Sequence, residues 1–305
     1  RLVFTSGATE AINMALIGAM RAAPPGRRKL VTIATEHAAV RDTAFWLERE
    51  GFELALLPVD PEGIVDRAAA REAIDDTTAI VAVMAVNNEI GVIQPLDELA
   101  ALAHDSGALF FCDAVQGYGR VPLPQEADMI AVSAHKVHGP KGIGALWLRE
   151  GVEIPPLLHG GGQEQGLRSG TLSPALCAGF GTAAKLMRER AEEDAAHVEA
   201  LWKTAREAFS GWTLNGSAAR RYHGNLNIRV DGLDVARLMS DVRGVLFSAG
   251  SACASGSGRP SHVLAALGLA DAQIKSSIRL GFGRYSTAKE LKAAADLINR
   301  AAEAQ

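Results

Sequence analysis

The sequence predicts an α/β protein: a large domain with a mostly parallel sheet between helices, followed by a smaller α+β domain. Short apolar runs typical of buried strands alternate with segments of helical periodicity through the first half of the chain. Such alternation is typical of parallel strands joined by helical crossovers. A long helical stretch, expected over 174–209, then leads to a second and shorter set of strands and helices. We expect a large domain over residues 1–195 and a small domain over residues 196–305.

The individual elements follow in chain order. Apolar runs predict large-domain strands at 2–4, 30–34, 52–59, 79–86, 108–112, 129–132 and 144–148. The run over 79–86 is apolar at every position, as in a central parallel strand that is covered on both faces. Between the strands, apolar spacing predicts four helices. They run from about residue 9 to 20, from just after His37 to about residue 50, over 67–74 and over 96–104. In the small domain we expect strands over 225–230, 245–247 and 278–282, and helices over 235–242 and from 288 onward.

Composition narrows the class of protein. The chain has 305 residues, of which 48% are hydrophobic and 22% charged, as in a soluble globular enzyme. The formal net charge of −4 gives no basic footprint for nucleic acid, and no apolar run approaches the roughly 18 residues that span a bilayer. Three cysteines make no disulfide framework, which favours a reducing compartment. We therefore expect a cytoplasmic protein without nucleic-acid or membrane partners.

Polar side chains follow five of the predicted strands where each strand ends. They are Thr9, His37, Asn88, Asp113 with Gln116, and Ser133 with His135 and Lys136. The carboxyl ends of parallel strands share one edge of a sheet, where ligands bind in open α/β folds. A lone lysine in a loop is usually a solvated surface residue, but Lys136 lies among these converging groups. A partly shielded lysine can lose its proton and attack a carbonyl carbon, so Lys136 is a candidate nucleophile.

Two further segments bear on the chemistry. The stretch TSGATE, at the start of the first helix, places free amide groups toward an anion but lacks the Gly-x-Gly-x-x-Gly spacing of nicotinamide enzymes.

Cys253 lies in a loop of Gly, Ser and Ala, whereas Cys112 lies in an apolar strand and Cys177 in a helix. Exposure is what a reactive thiol needs, and a loop this poor in apolar residues cannot bury one. From the spacing alone, a bland and a reactive role for Cys253 stay equally open.

Eight stretches, taken together and in order, resemble one family over nearly the whole chain. They are TSGATE, TEHAAV, NNEIGV, DAVQ, SAHKVHGPKG, GLRSGT, GSACAS and SSIRLGFGR. The resemblance is to the cysteine desulfurases, which belong to aminotransferase class V among the fold-type I pyridoxal-phosphate enzymes. It implies a seven-stranded sheet in the large domain and a homodimer. The small-residue loop followed by Arg-Pro-Ser-His resembles the subgroup with a long mobile catalytic loop that serves iron–sulfur cluster assembly.

The resemblance implies roles around the cofactor ring. Lys136 would hold pyridoxal phosphate covalently, and Asp113 would pair with the ring nitrogen and keep it protonated. Gln116 would donate a hydrogen bond to the ring oxygen. His37 would stack on the ring and take part in proton transfers.

It also implies how the phosphate would be bound. Ala8, Thr9, Ser133 and His135 would surround the phosphate with backbone, hydroxyl and imidazole donors. Thr171 would reach the phosphate bound by the other subunit of a dimer.

For the substrate, the resemblance implies L-cysteine. Arg279 would bind its carboxylate, with Asn88 beside it and also near the cofactor. The Cys253 thiolate would attack the substrate sulfur, so that alanine leaves and a persulfide stays on Cys253 for a sulfur acceptor or an iron–sulfur scaffold protein. No resident metal is expected, although Cys253 could transiently ligate an iron–sulfur cluster.

Two departures and three alternatives stay open. Family members begin several dozen residues earlier, with an Asp-Asn-Ala-Ala-Thr-Thr type motif, so we expect a truncated chain. In the family that segment joins the small domain and borders the active site. Gln163 and Gln165 stand where other members often carry His and Arg, and neither is assigned a role. A selenocysteine lyase has the same fold, as does a class V aminotransferase, which needs no mobile thiol. The third alternative is an inactive form that binds a scaffold protein.

Overall fold

The computed structural model describes residues 1–250 and 260–305, and these residues form two compact units. The first unit comprises Arg1–Pro58, Val65–Val86 and Gln94–Arg190. The second comprises Val59–Ile64, Asn87–Ile93 and Ala191–Gln305, and so takes in two short segments from the first half of the chain. In the described part of the chain, no helix is both long and apolar enough to cross a membrane.

The first unit is built on a seven-stranded sheet, as predicted. Its strands are β1 (Leu2–Thr5), β2 (Lys29–Ile33), β3 (Glu53–Leu57), β4 (Thr78–Met84), β5 (Leu109–Asp113), β6 (Met129–Ser133) and β7 (Gly144–Leu148). They are arranged in the order β1-β7-β6-β5-β4-β2-β3. β7 runs antiparallel to both of its neighbours, and the other pairings in this sheet are parallel. The carboxyl ends of β1, β2, β4, β5 and β6 therefore lie at one edge, where the sequence predicts the site.

Helices cover this sheet because their apolar residues recur at helical spacing. They are α1 (Ala8–Ala22), α2 (Ala38–Arg49), α3 (Arg67–Ala73), α4 (Leu96–Asp105) and α5 (Pro174–Glu189). α1 is the most deeply buried, since nearly every residue from Ala11 to Met20 belongs to the core together with residues of β4, β5, β6 and β7. Each large apolar side chain buried in this way contributes about 1.5–3 kcal/mol, so the start of α1 is held firmly against the sheet.

The second unit is smaller and antiparallel. Its strands are β8 (Thr213–Leu214), β9 (Asn225–Arg229), β10 (Ser248–Ala249) and β11 (Ser277–Gly281), in the order β10-β11-β9-β8. Its helices are α6 (Ala191–Ala208), α7 (Val235–Asp241), α8 (His262–Ala266), α9 (Asp271–Lys275) and α10 (Ala288–Glu303). The long helical stretch predicted over 174–209 is divided into α5 and α6 at Arg190, where the sequence has neither Gly nor Pro to signal a break. The strand predicted over 245–247 is the short β10, a few residues later.

Candidate active site

The start of α1 forms one side of the site. α1 follows β1 through a short turn in which the Thr5 hydroxyl donates to the Gly7 carbonyl at 2.9 Å. Gly7 caps the helix without a side-chain hydrogen bond, so the amide groups of Ala8 and Thr9 and the positive end of the helix dipole are presented to an anion. A Cβ on Gly144 would lie 2.7 Å from the Gly7 carbonyl carbon and 2.9 Å from the Ala8 nitrogen. Only glycine allows β7 to approach the helix start this closely.

Ser133 and His135 lie at the end of β6, which β7 separates from β1 in the sheet. The buried Ser133 hydroxyl and the His135 Nδ1 are 2.8 Å apart. Partial burial, together with the positive charges of Lys136 and Lys141, lowers the pKa of His135, which favours the neutral imidazole. With Ser133 as the donor to Nδ1, the His135 Nε2 carries the proton and can donate to an anionic ligand.

Lys136 lies in a single 3₁₀ turn, Ala134–Val137, that follows β6 directly. The residue after the turn, His138, has a left-handed backbone (φ 66°) and donates its amide to the Ala134 carbonyl. The Arg120 guanidinium, which is not part of the turn, stabilises it, because its Nη2 donates a hydrogen bond to the Lys136 carbonyl at 2.6 Å. Lys136 is half-buried, as a lysine needs to be if its amine is to react as a nucleophile.

Arg120 also fixes Gln116. Its Nη1 donates to the Gln116 side-chain Oε1 at 2.9 Å and to the Gln116 carbonyl at 3.1 Å. Because the guanidinium binds the carboxamide oxygen, the carboxamide nitrogen is the group that Gln116 can offer to a ligand. The sequence analysis missed Arg120, although its position four residues after Gln116 is a usable signal.

Asp113, the last residue of β5, is buried with 3% of its surface exposed. Its Oδ1 accepts from the Val115 amide at 2.9 Å. Burial raises the pKa of Asp113, and the Val115 amide and the electrostatic effects of His37 and Lys136 oppose that rise. A buried carboxylate of this kind binds a cationic nitrogen strongly, because little water competes for it.

His37 lies at the start of α2 and serves as its cap. Its Nδ1 accepts from the Ala39 amide at 3.1 Å, so the proton of the neutral ring is on Nε2. His37 is half-buried and, together with Thr9, lines a cleft of about 560 Å³ between α1 and α2. The ring is thus held by its own helix while one nitrogen can donate.

A glycine-rich loop is tied to the first turn of α1. Arg168 donates to both oxygens of Glu10, at 2.7 and 3.2 Å, and Glu10 also accepts from the Ser6 amide at 2.7 Å. Burial alone would raise the pKa of Glu10, but these hydrogen bonds lower it and keep the carboxylate ionised. Thr171, three residues beyond Arg168, is exposed on the surface of this chain.

The second unit brings together the two predicted substrate residues. Arg279 lies within β11, and its Nη1 donates to the Asn88 carbonyl at 2.7 Å. The Asn225 side chain donates to the same carbonyl at 3.1 Å. Asn87 shapes this turn, because its Oδ1 accepts hydrogen bonds from the amides of the second and third residues after it, at 2.9 and 3.0 Å. The Arg279 guanidinium is therefore oriented by the backbone beside it.

Eight predicted site residues lie at the same edge of the first unit's sheet, namely Ala8, Thr9, His37, Asp113, Gln116, Ser133, His135 and Lys136. Asn88 and Arg279 lie together in the second unit. Cys253 lies outside the described residues. Among the residues that are described, no group of three or more His, Cys, Asp or Glu could hold a metal ion. Sequence reasoning also missed Glu36, a buried acid that immediately precedes His37.

The profile of the aminotransferase class-V family matches residues 1–294 of this chain. A mitochondrial cysteine desulfurase of Saccharomyces cerevisiae is 45% identical over 298 residues, covering 95% of this chain and 60% of that protein. The cysteine desulfurase IscS of Rickettsia bellii is 41% identical over 306 residues, covering 97% of this chain and 75% of that protein. The chain thus spans between 60% and 75% of the length of these two relatives.

Solved structures agree with these relatives. A structure described as a NifS-like protein has a TM-score of 0.92 at 31% identity and covers 100% of this chain and 83% of its own. A structure described as SspA in complex with cysteine has a TM-score of 0.80 at 32% identity and covers 94% of this chain and 82% of its own. The likeness therefore extends over both units of the chain.

Proposed function

This chain belongs to the aminotransferase class-V family and, within it, to the cysteine desulfurases, and on that premise we propose that it transfers the sulfur atom of L-cysteine to Cys253. The observation that carries the proposal is the convergence of Lys136, Asp113 and His37 at one edge of the sheet, next to the start of α1. The solved relative with bound cysteine supports the choice of substrate.

The residues present fit the family's cofactor, pyridoxal phosphate. Donors suited to a phosphate are supplied by the start of α1, which has no side-chain cap and which β7 approaches closely through Gly144, and by the Ser133–His135 pair. Asp113 supplies a buried carboxylate suited to a cationic ring nitrogen, and Lys136 supplies the amine. When bound, pyridoxal phosphate supplies an electron sink for negative charge that develops at the substrate Cα.

Each protein group has one task in the proposed reaction. The Lys136 amine would hold the cofactor, and the same amine, when free, would take the proton from the substrate Cα. His37 can donate through Nε2, and Gln116 through its carboxamide nitrogen, toward the cofactor ring. Arg279 binds the substrate carboxylate with its planar guanidinium.

The sulfur-transfer step balances without an added oxidant. The Cys253 thiolate attacks the substrate sulfur, so an S–S bond forms while the bond between sulfur and the substrate Cβ breaks. The electron pair of the broken bond stays with the carbon fragment, which takes up protons and leaves as alanine. One L-cysteine and one thiol thus give one alanine and one persulfide on Cys253.

We also propose the wider setting that the family resemblance implies. The persulfide passes to a sulfur acceptor, an iron–sulfur scaffold protein among the candidates, in the cytoplasm. The protein works as a homodimer in which Thr171 of one chain reaches the phosphate bound by the other. Light scattering on the purified protein tests the dimer, and a mass equal to a single chain would contradict it.

The deciding experiment is a product assay with the purified protein loaded with pyridoxal phosphate. Incubation with L-cysteine and a thiol reductant should give alanine and sulfide in equal amounts. Lys136→Ala should lose the visible absorbance of the lysine-bound cofactor and the activity, while it remains folded. Cys253→Ser should keep that absorbance and release no sulfide, because a hydroxyl does not accept sulfur.

A second measurement locates the sulfur. After a brief pulse of L-cysteine without reductant, mass spectrometry should find one added sulfur atom on the peptide that contains Cys253. An added sulfur on Cys112 or Cys177, or full activity in Cys253→Ser, would rule out the proposed sulfur transfer. Activity with selenocysteine alone would instead favour a selenocysteine lyase.

A further inference from the structure

The geometry points to Glu36 as a positioning residue that acts as a neutral, protonated acid. It ties the turn between β2 and α2 that carries His37, the His37 turn, to β4. It also leaves Asp113 as the ionised carboxylate of the site. This inference rests on the proposed function, since it assigns Asp113 and His37 to the cofactor. No earlier step of the proposed reaction uses Glu36.

Glu36 is tied to the sheet by a hydrogen bond that replaces a missing strand partner. β2 pairs with β4 only as far as Ala82, so the amide of Met84, two residues on, has no β2 residue opposite it in the register. The Glu36 Oε1 accepts from that amide at 2.7 Å, and the Glu36 side chain is completely buried. Glu36 therefore takes the place of a further residue of β2, and this fixes the turn from which His37 starts α2.

The same hydrogen bond brings Glu36 to the strand end that also carries Asp113. Met84 is the residue of β4 that is aligned with Asp113 of β5 in the parallel register. Two carboxyl groups thus occupy one buried strand end. Two buried carboxylates that act on each other in a medium of low dielectric constant are costly to keep ionised together, so one of them keeps a proton.

The surrounding groups decide which carboxyl keeps the proton. Asp113 has the Val115 amide and the electrostatic effects of His37 and Lys136 to favour its ionised form. Glu36 has the Met84 amide, but burial and the charge of Asp113 raise the pKa of Glu36 well above its usual range. The neighbouring Cys112 thiol, whose pKa is raised by burial and by both acids, stays neutral as well. The proton therefore belongs to Glu36.

The protonation of Glu36 matters for Asp113. A charge on Glu36 would raise the pKa of Asp113 further and would favour a proton on the carboxyl that has to pair with the cofactor nitrogen. A neutral Glu36 still accepts from Met84 through its carbonyl oxygen, so the turn stays anchored without that repulsion.

The test compares Glu36→Gln with Glu36→Ala in the protein loaded with pyridoxal phosphate. Gln is neutral at every pH and keeps an oxygen for the Met84 amide, so cofactor affinity and the visible spectrum should stay within about twofold of the wild type. Ala leaves a buried amide unpaired and frees the His37 turn, so the cofactor dissociation constant should rise roughly tenfold or more. Equal losses in both variants, or an unfolded Glu36→Gln protein, would overturn the inference.

A second readout needs neither cofactor nor L-cysteine. A group whose pKa is raised by folding stabilises the fold at low pH, and that contribution is lost as pH rises above the unfolded value of about 4.3. The wild type should therefore lose stability relative to Glu36→Gln as pH rises from about 5 to 9 in urea unfolding of the apoprotein. A difference that is constant with pH would mean that Glu36 is ionised in the fold and would overturn the inference. Since this measurement involves no catalysis, its outcome is separate from a failure of the desulfurase assay.

Discussion

At the scale of single residues, the site is held by side chains that never need to touch a ligand. Arg120 is the clearest case, because one guanidinium binds both the Gln116 carboxamide and the Lys136 carbonyl. Arg168 does the same for the first turn of α1 through Glu10. Such residues fix the geometry on which a reactive lysine depends.

Arg120→Met should weaken cofactor binding while the fold persists. The variant releases the Gln116 carboxamide and the carbonyl of Lys136, and each lost charge-assisted hydrogen bond is worth about 1.5–3 kcal/mol, so the dissociation constant should rise roughly tenfold or more. Absorbance titration of the apoprotein with pyridoxal phosphate measures this. Arg71→Met, at an exposed ion pair with Glu98, is the matched control and should bind normally. Unchanged affinity in Arg120→Met would show that Gln116 and Lys136 are held without it.

Arg279→Lys should raise the KM for L-cysteine roughly 10- to 100-fold, because an ammonium group cannot reproduce two parallel hydrogen bonds to a carboxylate. Steady-state kinetics measures this, and kcat should change less than KM. Arg237→Lys, on the exposed side of α7, serves as the control. A KM equal to that of the wild type would remove Arg279 from the substrate site.

At the scale of elements, a close approach between β7 and the turn from β1 to α1 shapes the anion-binding end of the site. Gly144 lies in β7 between β1 and β6. The atoms nearest to a Cβ at this position belong to the backbone, and backbone atoms cannot swing away as a flexible side chain can. The spacing of β6, β7 and the start of α1 thus depends on the absence of a side chain at Gly144.

Gly144→Ala should therefore destabilise the protein by about 1–3 kcal/mol and reduce its affinity for pyridoxal phosphate. The new Cβ would lie 2.7 Å from the Val132 carbonyl oxygen and equally close to the carbonyl carbon of Gly7. Urea unfolding and cofactor titration measure the two effects. Gly181→Ala in α5, where a Cβ meets nothing within 4 Å, should instead leave stability unchanged or raise it. A fully stable Gly144→Ala that binds normally would contradict the proposed close approach.

At the scale of the whole molecule, two acidic side chains make contributions to the free energy of unfolding that change with pH in opposite directions. Glu36 has a pKa that folding raises, so its contribution is lost as pH rises. Asp75 has a pKa that folding lowers, chiefly because the buried Lys29 donates to it at 2.6 Å. Its contribution is present above the unfolded value of about 3.9 and is lost as pH falls.

Asp75→Asn should make the free energy of unfolding depend less on pH at acid pH. Because the variant leaves Lys29 without its carboxylate partner, the protein should be less stable at pH 7, and the deficit should shrink as pH falls below about 4. The exposed half of Asp75 is screened by water, so the slope is the quantity to measure, not the absolute free energy. Urea unfolding between pH 3 and 7 provides it, with Asp66→Asn at the exposed cap of α3 as the control. Parallel profiles for the wild type and Asp75→Asn would contradict the assignment.

The sequence by itself determined the strands of the first unit and its helices before α5, the edge of the sheet where polar side chains gather, and the family. These follow from local information: periodicity within a segment, and motifs whose residues are neighbours in the chain. The roles of Lys136, Asp113, Gln116 and Arg279 stay predictions that the proposed experiments test. The fate of Cys253, outside the described residues, rests on the sequence alone.

The tertiary structure alone decided which groups meet across long separations in the chain. It placed β7 antiparallel between β1 and β6, joined the segment Asn87–Ile93 to the second unit, and divided the predicted long helix at Arg190. It also brought Glu36 to the Met84 amide, 48 residues away. Periodicity reports which face of an element is buried, but it does not report the partner, because many pairings bury the same apolar area.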